Sequence, residues 1–302
     1  MIQLGVFADM QYADIDPQAG RNYRDSIGKF LEMAGEFKKR KLPRVLQLGD
    51  PINQDWSNLT AVAELFEKSK LPFVHVLGNH DFLEPDEKKK EIFRMFHVPR
   101  KGYYALTLRD EDDAENVWRL IILFGGEISS FAADNDADRK KAKSLQEKYR
   151  MPNGKLPFPW NGAVSEKQLR WLEDELTAST RRKESVIVCS HFPLFSQAKS
   201  IQSPLKIKGL LDNLGIYYAG MGVSTWNGQD ILQVLDRFAC DKAYFAGHLH
   251  EGAYGVRKNV YHVTFHGMVE AKPNAGAVVT LTKNKIRIEG LGIEPSRELE
   301  LL

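Results

Sequence analysis

Cysteine is scarce in this chain. Its two residues, Cys189 and Cys240, both stand in apolar runs where a small hydrophobe fits. That excludes a disulfide framework and points to a reducing compartment. Long hydrophobic runs are also lacking. Nothing approaches the ~20 apolar residues of a membrane span, and no basic segment with a long apolar stretch behind it opens the chain. The expectation is a soluble, cytoplasmic protein without a membrane partner. An excess of one charge is missing too: 42 basic residues face 40 acidic ones, a net charge of +2. The basic runs at 38–41 and 88–90 are short, and no basic stripe with interleaved aromatics marks a nucleic-acid surface. Repeats and long polar linkers are absent. The 302 residues, 43% of them hydrophobic, therefore read as one α/β domain.

Within that domain, short apolar runs alternate with helical periodicity. Strands are predicted at 2–8, 44–48, 73–77, 103–108, 118–124, 186–189 and 243–246. An acidic turn at 110–115 separates the fourth and fifth. Antiparallel strands follow at 260–265 and 277–288, the latter turning at Lys283-Asn284. Helices are predicted over 22–40, 57–69 with Ser57 as N-cap, 86–96, 134–150 and 230–238. Another starts at Ser165-Glu166-Lys167-Gln168, which has the form of a capping box. Between 127 and 164 the pattern weakens into a variable segment ending in MPNGKLPFPWNG, placed to act as a lid.

Polar side chains capable of binding a metal recur where the strands end. Asp9 and Gln11 follow the first strand, and Asp50 and Asn53 the second. Asn79, His80 and Asp81 follow the third. His191 follows a later strand, and His248 and His250 another. Open α/β sheets build sites at such ends, where loops converge. Gly49, Gly78 and Gly247 let the backbone turn closely there. His75, His97, His262 and His266 lack this framing and read as structural.

The ordered set Asp9-Met10-Gln11, Gly49-Asp50, Gly78-Asn79-His80-Asp81, His191 and Gly247-His248-Leu249-His250 resembles the calcineurin-like metallophosphoesterases. One position departs: Gln11 stands where those proteins usually carry His. That departure is similar to the manganese-dependent ADP-ribose/CDP-alcohol diphosphatases. The likeness continues through Tyr23-Arg24, Asn161-Gly162, Trp226-Asn227 and Tyr261-His262.

The resemblance implies two mixed β-sheets packed as a sandwich and flanked by helices, in four layers. It also implies two divalent ions bridged by Asp50. Asp9, Gln11 and His250 would complete one shell, and Asn79, His191 and His248 the other. Such a pair clamps the attacking and leaving oxygens of an in-line displacement. The amide of Gln11 favours Mn²⁺, with Mg²⁺, Fe²⁺ and Zn²⁺ as the other ions such a set accepts. In the same pattern His80 faces the phosphate as an acid or a donor, with Asp81 orienting its ring. Arg24 and Tyr23 at a helix start would meet phosphate. Trp226 and Phe158 would stack a base, and Asn161 would line the pocket. The substrate implied is a small nucleoside diphosphate-X compound. The competing readings are a metal-dependent phosphodiesterase or phosphomonoesterase acting on cyclic nucleotides or glycerophosphodiesters, and a metal-free scaffold.

Overall fold

The computed structural model describes residues 1–150, 154–194, 223–238 and 242–301. In chain order the strands are β1 (Ile2–Phe7), β2 (Val45–Gln47), β3 (Phe73–His75), β4 (Tyr104–Arg109), β5 (Val117–Ile122) and β6 (Ser185–Cys189). They continue with β7 (Lys242–Ala246), β8 (Ala253–Arg257), β9 (Val260–Thr264), β10 (Ala275–Leu281), β11 (Lys285–Gly292) and β12 (Arg297–Glu300). The helices are α1 (Asp25–Lys39), α2 (Trp56–Ser69), α3 (Asp86–Met95), α4 (Asp136–Lys148), α5 (Glu166–Arg182) and α6 (Gly228–Leu235).

The strands form two six-stranded mixed sheets, ordered β12-β11-β10-β1-β2-β3 and β4-β5-β6-β7-β9-β8. Period-two alternation assigns each side chain to a layer. In β6, Ile187 and Cys189 face the other sheet, where they meet Leu4, Val6 and Leu46. Val186 and Val188 face outward onto Leu172 and Leu176 of α5 and Ile231 and Leu235 of α6. In β1, Phe7 faces outward onto Phe30 and Phe37 of α1 and Phe66 of α2. Helix α1 lies so close that a β-carbon at Gly5 would stand 2.8 Å from the Phe37 ring. The result is the expected four-layer sandwich.

Three local expectations are corrected. Helix α2 starts one residue before Ser57; its N-cap is Asp55, whose side chain makes no cap hydrogen bond. Only half of the capping box forms. Ser165 Oγ accepts from the Gln168 amide at 3.1 Å, but the Gln168 side chain turns away to the main chain of Phe124 and to Glu127. Glu127 instead accepts from the Ser165 backbone N–H at 2.8 Å. Strands β8 and β12 were not expected, because short edge strands with a single buried residue each carry little apolar signal.

Of the segment 127–164, the described part is pinned to the body. Ile128 bridges Ala163, Lys89 Nζ donates to the Ala133 carbonyl at 2.8 Å, and Arg139 pairs with Asp86 at 2.7 Å. Cys189 is buried and free, while Cys240 lies outside the described residues. Among the described residues, no helix is long and apolar enough to cross a membrane.

Candidate metal centre and active site

Strands β1, β2, β3, β6 and β7 all deliver their following loops to one place. The loops are sewn together by the main chain: Asp9 N–H donates to the Gly49 carbonyl, Gln11 N–H to that of Asp50, and Gly247 N–H to that of His191. Asp9, Gln11, Asp50 and His248 adopt left-handed backbone conformations, with φ of 49°, 41°, 52° and 66°. Such strain at non-glycine residues gathers at functional sites. Glycine is required beside them. A β-carbon at Gly78 would lie 2.1 Å from Asp50 Oδ1, and one at Gly247 would lie 2.6 Å from Asp9 Oδ2.

These turns bring a dense set of donors to the floor of the site. His191 Nε2 is 3.0 Å from Asp50 Oδ2, and His250 Nε2 is 3.4 Å from Asp9 Oδ1. His248 Nδ1 is 3.2 Å from His191 Nε2. Ligand atoms of Asp50, His191 and His248 all lie within 4.8 Å of one another. Asn79 Oδ1 is buried with no hydrogen-bond partner among the described residues.

Each imidazole is held from its far side, which decides the nitrogen it presents. His191 Nδ1 meets the Leu48 carbonyl at 2.8 Å, so Nε2 faces Asp50. His250 Nδ1 meets Glu270 Oε1 at 3.1 Å, so Nε2 faces Asp9. His248 is reversed: Nε2 meets Asn161 Oδ1 at 3.0 Å and Nδ1 faces the cluster. Outer partners of this kind fix the tautomer and raise the basicity of metal-ligating histidines. Electrostatics agree. Burial opposes charge on Asp50, yet His191 and His80 hold its carboxyl well below the usual range. Burial likewise opposes charge on His191 and His250, but Asp50 and Asp9 respectively lift them to about 9. Buried carboxylates that draw this much positive charge onto neutral ligands fit divalent cations.

Residues 2–252 match the family described as calcineurin-like phosphoesterase. The chain belongs to this family. Relatives over nearly the full length include the manganese-dependent ADP-ribose/CDP-alcohol diphosphatase of Homo sapiens, 28% identical over 98% of this chain and 92% of its own. The protein of that name from Oryza sativa subsp. japonica is 26% identical, over 92% of this chain and 86% of its own. The fold is similar to that of a dimetal phosphatase from Danio rerio, with a TM-score of 0.78 at 21% identity, covering 100% of this chain and 99% of that one. As a calcineurin-like phosphoesterase, the chain is a metal-dependent hydrolase of phosphoric esters or anhydrides.

In this phosphoesterase, Gln11, Asn79, His80, His248 and His250 line a cleft of about 750 Å³ above the buried carboxylates. His80 lies off the cluster, with Nε2 4.0 Å from Asp50 Oδ2. Gln11 turns its amide nitrogen to Asp50 at 3.5 Å and its oxygen to Arg21 at 3.2 Å. An oxygen ligand there requires a half-turn of the amide, whose two ends are nearly the same size.

Several expectations fail on geometry. Asp81 does not orient His80; it accepts from the Gly78 N–H at 2.7 Å, and the Asn53 carbonyl holds the His80 ring instead. Arg24 turns from the cleft to pair with Asp14 at 2.6 Å and Asp16 at 2.9 Å. Tyr23 is buried against Ala13 and Val269. Trp226 is only 8% exposed, packs against Ala142 and Ala163, and donates its indole N–H to the Phe158 carbonyl.

Two residues that the motifs did not single out take their places. Arg21 lines the cleft, and Glu270 binds both Arg21 Nε at 2.6 Å and His250 Nδ1. The only sequence signal was the Gly20-Arg21 turn; Glu270 stands in an irregular segment and had none. Glu270→Gln is expected to weaken metal affinity by roughly 10–100-fold. Competition with a chelator measures this, and unchanged affinity would restrict Glu270 to holding Arg21.

Proposed function

We propose that this chain hydrolyses the diphosphate bond of nucleoside diphosphate-X compounds, such as ADP-ribose and CDP-alcohols, with Mn²⁺ as the preferred ion. The products are a nucleoside monophosphate and a phosphorylated X. The observation that carries the reading is the paired donor set, Asp9 with His250 and Asp50 with His191 and His248, beneath a cleft walled by Arg21 and His80. Full-length relatives named for this reaction support it.

Two divalent ions held by Asp9, Gln11, Asp50, Asn79, His191, His248 and His250 would polarise the phosphoryl group and make water a better nucleophile. The chain's own groups do the rest. Arg21 brings permanent positive charge to the cleft for the diphosphate, and Glu270 fixes its direction. His80, its Nδ1–H held by the Asn53 carbonyl, presents Nε2, which in the imidazolium form donates its proton to the leaving phosphate oxygen as the P–O bond breaks and leaves the ring neutral. Asn161 keeps His248 in register. We read residues 1–302 as a single domain whose 127–164 segment forms a variable wall of the cleft, and the cytoplasm as its compartment.

The test is hydrolysis of ADP-ribose, CDP-choline and a chromogenic phosphodiester at matched concentration with Mn²⁺. Fast release of AMP or CMP with slow chromogen turnover is expected. The reverse order would make the chain a phosphodiesterase.

A further inference from the structure

Phe158 and Trp160 are stacked face to face, with ring centroids 4.3 Å apart and planes 11° from parallel. Both are exposed, at 36% and 45%, and neither belongs to a hydrophobic core cluster of the described residues. A lone exposed aromatic is ordinary, but two stacked against each other form a contiguous apolar face of the kind that marks a contact surface. Packing of the loop does not supply one, because the loop is fixed by polar bonds. Trp226 Nε1 donates to the Phe158 carbonyl at 3.1 Å, and Ser130 Oγ to that of Pro159 at 3.3 Å. The next residue after Trp160, Asn161, is buried against His248. The indole thus stands one residue from a group that touches the metal centre, on a wall of the same cleft.

We propose that Trp160, backed by Phe158, is the stacking platform for the nucleobase of the substrate, a position that sequence reasoning gave to Trp226 and Phe158. The inference rests on the nucleoside diphosphate reading above. A rigid, solvent-facing π-surface suits any base, because every base has a π-face. Arg21 and His80 serve the phosphates in the same cleft. A ribose joins phosphate to base in a nucleotide, which matches a platform beside the phosphate site rather than within it. Stacking of this kind also predicts weak choice between adenine and cytosine.

The experiment uses the full chain with Mn²⁺ and compares Trp160→Ala and Trp160→Phe with the parent. The ratio of kcat/KM for ADP-ribose to that for base-free dimethyl diphosphate should fall roughly 5- to 150-fold in Trp160→Ala. The loss should appear in KM, and Trp160→Phe should restore most of it. An unchanged ratio overturns the platform. If no diphosphate is hydrolysed, the underlying reading fails on its own. AMP titration then decides the platform separately: tryptophan fluorescence should be quenched in the parent and not in Trp160→Phe. Equal quenching in both, or none in the parent, would overturn it.

Discussion

Asp50→Asn should lose both metal ions and bring hydrolysis down to background. Asparagine isolates the charge from the backbone. Residue 50 sits at φ 52°, where asparagine is among the best-tolerated side chains, whereas alanine adds strain of about 1–2 kcal/mol. The amide oxygen can also keep the hydrogen bond from the His80 N–H, 2.8 Å in the parent. What disappears is the buried negative charge facing His191, together with the second oxygen that would let one residue serve two ions. Metal analysis of the purified variant reads the outcome directly. Retention of one ion per chain would show that Asp50 belongs to a single site, and the bridge would have to be assigned elsewhere.

The second large effect is expected at His80. His80→Ala should lower kcat by ~10²–10⁴-fold while metal content stays at the parent value. Its Nδ1 is tied to the Asn53 carbonyl, and its Nε2 is held at 4.0 Å from Asp50, beyond hydrogen-bond reach. The ring therefore presents its free nitrogen to the cleft, where the leaving oxygen would sit. A fall in metal content alongside kcat would move His80 into the ligand set.

The residues that gather at the floor of the cleft were legible because each follows a strand end, and Asp50, Asn79 and His248 also follow a glycine. Asp50 needs Gly78, and Asp9 needs Gly247, at distances no side chain could share. The unbroken apolar run Val186-Ile187-Val188-Cys189 likewise wrote both buried faces of a strand into four letters. The supporting partners were hidden for a different reason. His191 is held by a carbonyl, as is His80, and a main-chain oxygen has no letter of its own. Glu270 looks like any surface carboxylate until the fold lays it against His250. Arg21 and Arg24 are three positions apart, yet the Gln18–Arg21 bridge returns one to the cleft while the other opens α1 in solvent among acidic neighbours. The tryptophans were exchanged similarly. Periodicity is silent in 154–164 and 223–227, so composition alone could not separate the buried indole of Trp226 from the exposed one of Trp160.

The pairing of β1 has a consequence for how the protein is made. One edge of this strand is covered early, by the parallel β2, but the other waits for β10, with Ile2 opposite Leu281. The contact between Asp9 and His248 spans 239 residues. At roughly 5–20 residues per second, a ribosome needs on the order of ten to fifty seconds to cross that interval. Throughout it, an apolar strand stands open on one side, and Asp9, Gln11, Asp50 and Asn79 wait for His248 and His250. Metal loading is therefore among the last events in the life of the nascent chain. A ribosome that stalls before His248 would release a product with an adhesive edge and an incomplete ligand set.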